Sequence, residues 1–388
     1  MHAHTDESRS PLTDRHEGWH GLCWKVSTCF RLITNLHSYY RCLLYTTKMQ
    51  LLGIQFAPLY VPLERRLQTL AAGSWFVAFA FGPFICFFAA VYLLLYTSYT
   101  YLMLLYIGWL VLDRRVAHSG GRRLETVRNW SWWYYFNSYF PLSLHKTAEL
   151  PPTTNYLFCV YPHGMLCSGA FGNFATNQSD FKTLFPGLTS YLLTINAAFN
   201  MPLSRELILG LGFCAASRES ILHLLQDQSH PKAVVLMVGG ASEAFKCHPG
   251  TYRIILRKRK GFIKVALETG TPIVPVFSFG ETNLYDQVTN PPGSWLYVIQ
   301  NTCRKILGIA PCIPIGRGLF QYNFGVIPRR HPVATVVGKP IQIPKIASPP
   351  AEVVDELHNR FTSALIQLFE DNKHKYEADP ENCTLIIE

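Results

Sequence analysis

The stretch YLFCVYPHGMLCSGAFGNFAT, residues 156–176, decides how the rest of the chain is read. Six residues, Tyr156 to Tyr161, form an unbroken apolar run, and Pro162 and His163 end it. Gly164, Ser168, Gly169, Ala170 and Gly172 follow. A short run apolar on every position predicts a strand covered on both faces, which is how parallel sheets read. The carboxyl edge of an open α/β sheet is where ligands bind. A histidine there can take a proton near neutral pH, and small residues after it let a ligand approach main-chain N–H groups.

Further runs of the same kind lie downstream. Strands are predicted at Tyr191–Ile195, Ala233–Val238, Pro272–Phe277 and Ala334–Val337, and helices at Arg205–Leu211, Glu219–Gln226, Phe262–Thr269 and Glu352–Lys375. Strands alternating with helices after Pro151-Pro152 predict an α/β domain over residues 151–388 with a mainly parallel sheet. The last helix carries Val354, Leu357, Phe361, Ala364, Leu365, Leu368 and Phe369 on one side, a docking face for the same domain.

Upstream the composition changes. From Leu67 to Leu112, 46 residues contain no Asp, Glu, Lys, Arg or His, where about 20 suffice for one span. The polar patch Thr97–Thr100 divides this run, so residues 70–112 are expected to form a transmembrane or re-entrant helical hairpin, Leu70–Tyr96 and Tyr101–Leu112. Gly82-Pro83 would kink the first arm or mark the true turn. Arg65-Arg66 before it and Arg114-Arg115 and Arg122-Arg123 after it place both ends on the cytosolic side. Residues 55–69 are expected as a pre-membrane amphipathic segment. In 113–150, eight of the twelve residues Asn129–Phe140 are aromatic, which fits either an interfacial belt or core packing. Residues 1–54 form a poorly patterned extension.

The whole chain carries a formal charge of +10, 49% hydrophobic residues and 15% charged residues, which points to anionic partners and to lipid. No zinc-finger, RNP or basic-zipper spacing supports nucleic acid. Eleven cysteines without a C-x-x-C pair suit neither a disulfide framework nor a zinc site. There is no G-x-S-x-G elbow, Walker loop, G-x-G-x-x-G fingerprint or H-E-x-x-H, which counts against serine hydrolases, NTPases, dinucleotide oxidoreductases and zinc proteases. Two more passages carry chemistry. In Val238-Gly-Gly-Ala-Ser-Glu243 a strand opens into a glycine turn and a carboxylate, and a carboxylate beside a histidine fixes its tautomer. Arg257, Lys258, Arg259 and Lys260 form a basic run able to hold phosphates.

In order, FAPLYVPLERRLQTL (56–70), GGRRLETVRNW (120–130), YFPLSLHKTAEL (139–150), YPHG (161–164), GAFGNFAT (169–176), LFPGL (184–188), VGGASEA (238–244), RKGFIKVAL (259–267), VPVFSFGE (274–281), GRGLFQYNFGVIP (316–328) and TVVGKPI (335–341) resemble the type-2 diacylglycerol acyltransferase family, and most closely its monoacylglycerol acyltransferase members. The resemblance covers about residues 55–388, and Met49 then stands as an alternative start. It implies a glycerolipid-acyltransferase-like α/β domain and transfer of a fatty acyl group from acyl-CoA to a glycerolipid hydroxyl. The preferred acceptor is 2-monoacylglycerol, with diacylglycerol or a long-chain alcohol as alternatives. A catalytically silent membrane or lipid-droplet scaffold, or a hydrolase, are the other readings.

In the resemblance His163 is the base, Glu243 orients it, main-chain groups around Gly164 and Gly169 steady the oxyanion, and Arg257–Lys260 hold acyl-CoA. Acyl-CoA serves as a substrate, with no separate cofactor and no metal. The implied setting is the endoplasmic reticulum membrane with the catalytic domain toward the cytosol, lipid droplets being a second location, and homo-oligomerisation is left open. Tyr161 stands where animal members usually have a histidine, which leaves His163 as the base.

Overall fold

The structure is a computed structural model, and it describes residues 49–58, 60–288, 290–291, 293–307 and 311–388. The extension expected before residue 49 lies outside the described residues. The chain falls into two units, Met1–Pro62 and Leu63–Glu388. In the first, Met49–Leu51 (β1) pairs antiparallel with Ile54–Phe56 (β2).

In the second unit, seven strands form one sheet: Leu142–Lys146 (β3), Tyr156–Tyr161 (β4), Thr189–Thr194 (β5), Cys214–Ala215 (β6), Lys232–Met237 (β7), Ile273–Phe279 (β9) and Val333–Val337 (β12). Tyr252–Ile254 (β8) pairs with Leu385–Ile387 (β13), and Asp286–Gln287 (β10) with Pro314–Ile315 (β11). Among the described residues the large sheet runs β3-β12-β9-β4-β7-β5-β6, and only its β12–β9 pairing is antiparallel. The mainly parallel sheet read from the sequence is therefore present.

Strand β4 lies between β9 and β7 and is covered on both faces. Tyr156, Phe158 and Val160 enter one core, while Leu157, Cys159 and Tyr161 enter the other. This two-sided burial explains the apolar run, and each such side chain is worth roughly 1.5–3 kcal/mol.

The nine longer helices among the described residues are Leu63–Ala80 (α1), Gly82–Tyr96 (α2), Thr100–Leu112 (α3), Ser131–Tyr139 (α4), Ser204–Gly210 (α5), Arg218–Gln226 (α6), Gly261–Thr269 (α7), Trp295–Leu307 (α8) and Ala351–Tyr376 (α9). Helices α6, α7 and α9 bury their apolar stripes in the second core. Gly270, in the left-handed region, ends α7. The first core takes α1 and α4, where the Trp75 and Phe136 rings lie 4.9 Å apart and Trp132 Nε1 donates to Ser74 Oγ at 2.9 Å. The aromatic run is thus divided: Trp133, Phe136, Tyr139 and Phe140 are core, while Trp130 and Tyr134 are exposed.

The expected arm Leu70–Tyr96 is not one helix. Pro83 sits at the start of α2, where a missing N–H is harmless, so the chain breaks after Ala80 and turns by 63°. No single helix among the described residues is long and apolar enough to cross a membrane, whereas the bent pair α1–α2 meets that length and composition. The polar patch does form the turn between α2 and α3, with Thr97 Oγ1 and Thr100 Oγ1 donating to Leu93 and Leu94 carbonyls. Only Ala90 and Met103 of α2 and α3 are buried.

Candidate active site

Three neighbouring strands, β7, β4 and β9, each deliver one polar residue to the same carboxyl edge of the sheet. Strand β4 leads through a cis Tyr161-Pro162 bond to His163. Strand β7 leads through Gly239-Gly240 to Glu243, on the single helical turn Ala241–Ala244. Strand β9 leads through Gly280 to Glu281.

Glu243 is buried, and its Oε2 accepts the main-chain N–H of His163 at 2.8 Å. Its Oε1 accepts the Ile255 N–H at 2.7 Å. The sequence reading aimed this carboxylate at the imidazole, but the contact runs to the backbone beneath it. A Cβ on Gly239 would fall 1.9 Å from the Glu243 carboxyl, so only glycine leaves room for this grip.

The ring of His163 finds a different partner. Its Nδ1 lies 3.2 Å from the Gly164 carbonyl oxygen, which can only accept, so Nδ1 carries the proton and Nε2 keeps its lone pair. The residue is half-buried, and burial holds its pKa below the ordinary histidine value. Burial favours the neutral ring, and the Gly164 bond, which by itself pulls the pKa up, fixes the tautomer that leaves Nε2 to take a proton.

Glu281 was not singled out from the sequence. It is buried, with Oε1 accepting the Ser168 N–H at 2.7 Å and Oε2 the Gly169 N–H at 2.8 Å. It therefore holds the start of the helical segment that follows the His163 turn. Gly164 adopts φ +61°, and a Cβ there would meet Glu281 Cγ at 2.6 Å. The Gly169 N–H is thus committed to Glu281 and is not open to an oxyanion. The N–H groups of Gly164, Met165 and Leu166 carry no hydrogen bond among the described residues. The signal that could have revealed Glu281 is its position: a buried strand, a glycine, then a lone acid, as at Glu243. Burial pushes both carboxyls up to about 7 against the pull of the N–H donors. Burial, with both glutamates nearby, also raises the Cys167 thiol.

Tyr161 is fully buried among Leu157, Cys159 and Phe277, and its hydroxyl has no partner among the described residues. It ends the strand inside the core, whereas His163 lies beyond it at the edge.

The basic run is spread over two places. Arg259 Nη2 donates to the Gly239 carbonyl at 3.2 Å, at the turn that carries Glu243. Arg257 and Lys260 line an open groove of about 610 Å³ with His358, Asn359 and Thr362 of α9, and Lys260 pairs there with Asp355. Lys258 is exposed and unpaired among the described residues. A smaller cavity of about 270 Å³ lies by Arg123, Arg128 and Lys182, and neither cavity is lined by His163.

The family profile described as "Diacylglycerol acyltransferase" matches residues 92–388, most of the chain and the whole of this site. The chain belongs to the diacylglycerol acyltransferase family. Within that family it is 47% identical over 334 residues to 2-acylglycerol O-acyltransferase 1 of Bos taurus, covering 86% of this chain and 99% of the relative. It is 41% identical over 335 residues to the Homo sapiens protein of the same name, with the same coverage. Diacylglycerol O-acyltransferase 2 of Homo sapiens is 40% identical over 315 residues, 81% of each chain. Like this family assignment, the His163, Glu243 and Glu281 positions fall in the matched stretch, while α1 lies before it.

Proposed function

We propose that this chain is an acyl-CoA-dependent O-acyltransferase of triacylglycerol synthesis, with 2-monoacylglycerol as the preferred acceptor and diacylglycerol as its product. The observation that carries the reading is His163 at the edge of β4, its Nδ1 proton directed at the Gly164 carbonyl and its Nε2 left to accept. The names of the family relatives, acylglycerol O-acyltransferases, support the acyl-transfer class and the glycerolipid acceptor.

In this mechanism Nε2 takes the proton of the acceptor hydroxyl as its oxygen attacks the thioester carbon. The C–S bond then breaks, and the imidazolium returns the proton to the departing CoA thiolate. The open N–H groups of Gly164, Met165 and Leu166 are the candidates to steady the oxyanion, each such donor being worth about 2.7–4 kcal/mol. Glu243 and Glu281 act on the backbone on either side of the imidazole, as positioning residues. Arg257, which lines the α9 groove, and the exposed Lys258 beside it in the chain bind CoA phosphates, while Arg259 holds the turn that carries Glu243. The apolar helices α2 and α3 bring an insoluble acceptor in from the endoplasmic reticulum bilayer, with the catalytic domain on the cytosolic side.

The test offers 2-monoacylglycerol, diacylglycerol and a long-chain alcohol together to one membrane preparation with labelled acyl-CoA. Labelled diacylglycerol should form first and fastest. Labelled wax ester alone, or free fatty acid with no ester, would overturn the acceptor assignment.

A further inference from the structure

A helix on the surface of a protein in water turns its apolar side inward and its polar side out. Helix α8, Trp295–Leu307, instead leaves most of its large apolar side chains outside. Trp295 is 74% exposed and Ile306 75%, with Val298 and Ile299 also outside, while Gln300 is 3% exposed. The inward side is held by polar bonds. Gln300 Oε1 accepts from Asn290 Nδ2 at 2.6 Å, and Gln300 Nε2 donates to the Pro311 carbonyl at 3.0 Å. Arg304 Nη1 donates to Ser242 Oγ at 3.1 Å, the residue before Glu243.

The helix belongs to an excursion whose ends are clamped by the β10–β11 pair, just after Glu281. A second excursion follows at once, closed by the Arg317–Ile327 bridge, and it exposes Leu319, Phe320, Phe324 and Val326. Both leave the sheet on the carboxyl side of β9, where the three polar residues converge. From Gln287 to Pro332, up to the start of β12, the chain has no Asp or Glu and five cations: Arg304, Lys305, Arg317, Arg329 and Arg330.

We infer that α8 and the 319–326 excursion form a second lipid-contact surface, separate from α2 and α3, that seats the mouth of the active site on an anionic phospholipid bilayer. The outward apolar side, with Trp295 and Tyr297 at its start, matches the acyl–headgroup boundary. The acid-free, cationic stretch around it matches a negative surface. A second protein copy would meet the same apolar side chains, but an acid-free stretch with five cations repels its own copy and favours an anionic lipid surface.

The test uses the full chain reconstituted in phosphatidylcholine–phosphatidylserine liposomes, with and without bromine on the lipid acyl chains. Subtracting the emission of a Trp295→Phe variant isolates Trp295. Its emission should fall at least about twofold with brominated lipid and resist quenching by aqueous iodide. Emission untouched by bromolipid overturns the inference, whether iodide reaches Trp295 (open to water) or not (covered by protein). This readout needs no turnover, so it stands or falls apart from the proposed reaction. In a second measurement, Val298→Asp with Ile306→Asp, both at exposed positions, should release Trp295 from bromolipid quenching while α2 and α3 keep the protein in the liposome. Unchanged quenching there would also overturn it.

Discussion

Replacing Glu281 by glutamine separates stability from function in this site. The carboxyl is buried and shifted up to about 7, so between the ordinary 4.5 and 7 the native state holds a proton that the unfolded chain has released. Wild-type stability therefore falls as pH rises through that window, because above it the fold must bury a charge. At 1.36 kcal/mol per unit the shift amounts to about 3 kcal/mol as an upper bound, or roughly 4 °C in Tm for a chain of this size. Glutamine is neutral at every pH and escapes this cost. Glu281→Gln should match wild type near pH 4 and exceed it in Tm at neutral pH and above, the gap opening from about pH 4.5 and reaching its full size by about pH 7. Yet the amide has one acceptor oxygen for two N–H groups, so either Ser168 or Gly169 loses its bond and the His163 turn loosens. Turnover should drop more than about tenfold with little change in KM for acyl-CoA, a loss of transition-state alignment and not of ground-state binding. Thermal unfolding from about pH 4 to 8, paired with labelled acyl transfer near neutral pH, reads both effects. A Tm gap that stays flat across pH would refute the burial argument, and unaltered turnover would refute the positioning role.

Two further outcomes follow from the same geometry. Arg128 is buried with no carboxylate bonded to it among the described residues, donating to the carbonyls of Leu211 and Phe174 and to Ser190 Oγ; Arg128→Met should cost at least about 3 kcal/mol by chemical denaturation, because each abandoned acceptor loses about 1–3 kcal/mol. Arg257→Ala with Lys258→Ala should raise KM for acyl-CoA roughly tenfold, more steeply at low salt, and leave KM for the lipid acceptor unchanged.

The strands read from the sequence match β4 in both ends and β5, β7, β9 and β12 within about two residues, because burial on both faces writes an apolar run bounded by Pro or Gly. Strand β3, with His145 and Lys146 at the sheet edge, has no such run, and β6, β8 and β13 are too short to carry a period. The reversed direction of β12 against β9 leaves no trace in composition. His163 and Glu243 were visible because each lies just past a buried strand beside glycine: His163 before Gly164, Glu243 after Gly239-Gly240. Their relation was not, since spacing cannot say whether a carboxylate meets a ring or a backbone. Glu281 has the same setting, but a single acid after a glycine is too common a pattern to stand out. Helix α8 was passed over because its apolar side points away from the protein, so it resembles neither a core helix nor a span.

The central claim is that the neutral imidazole of His163 performs the proton transfer. Its most direct test is the turnover of His163→Ala in membranes with labelled acyl-CoA and 2-monoacylglycerol, with acyl-CoA binding measured in parallel. The expected result is a fall of roughly 10²–10⁴-fold in turnover with acyl-CoA binding retained. Wild-type turnover in that variant would contradict the account.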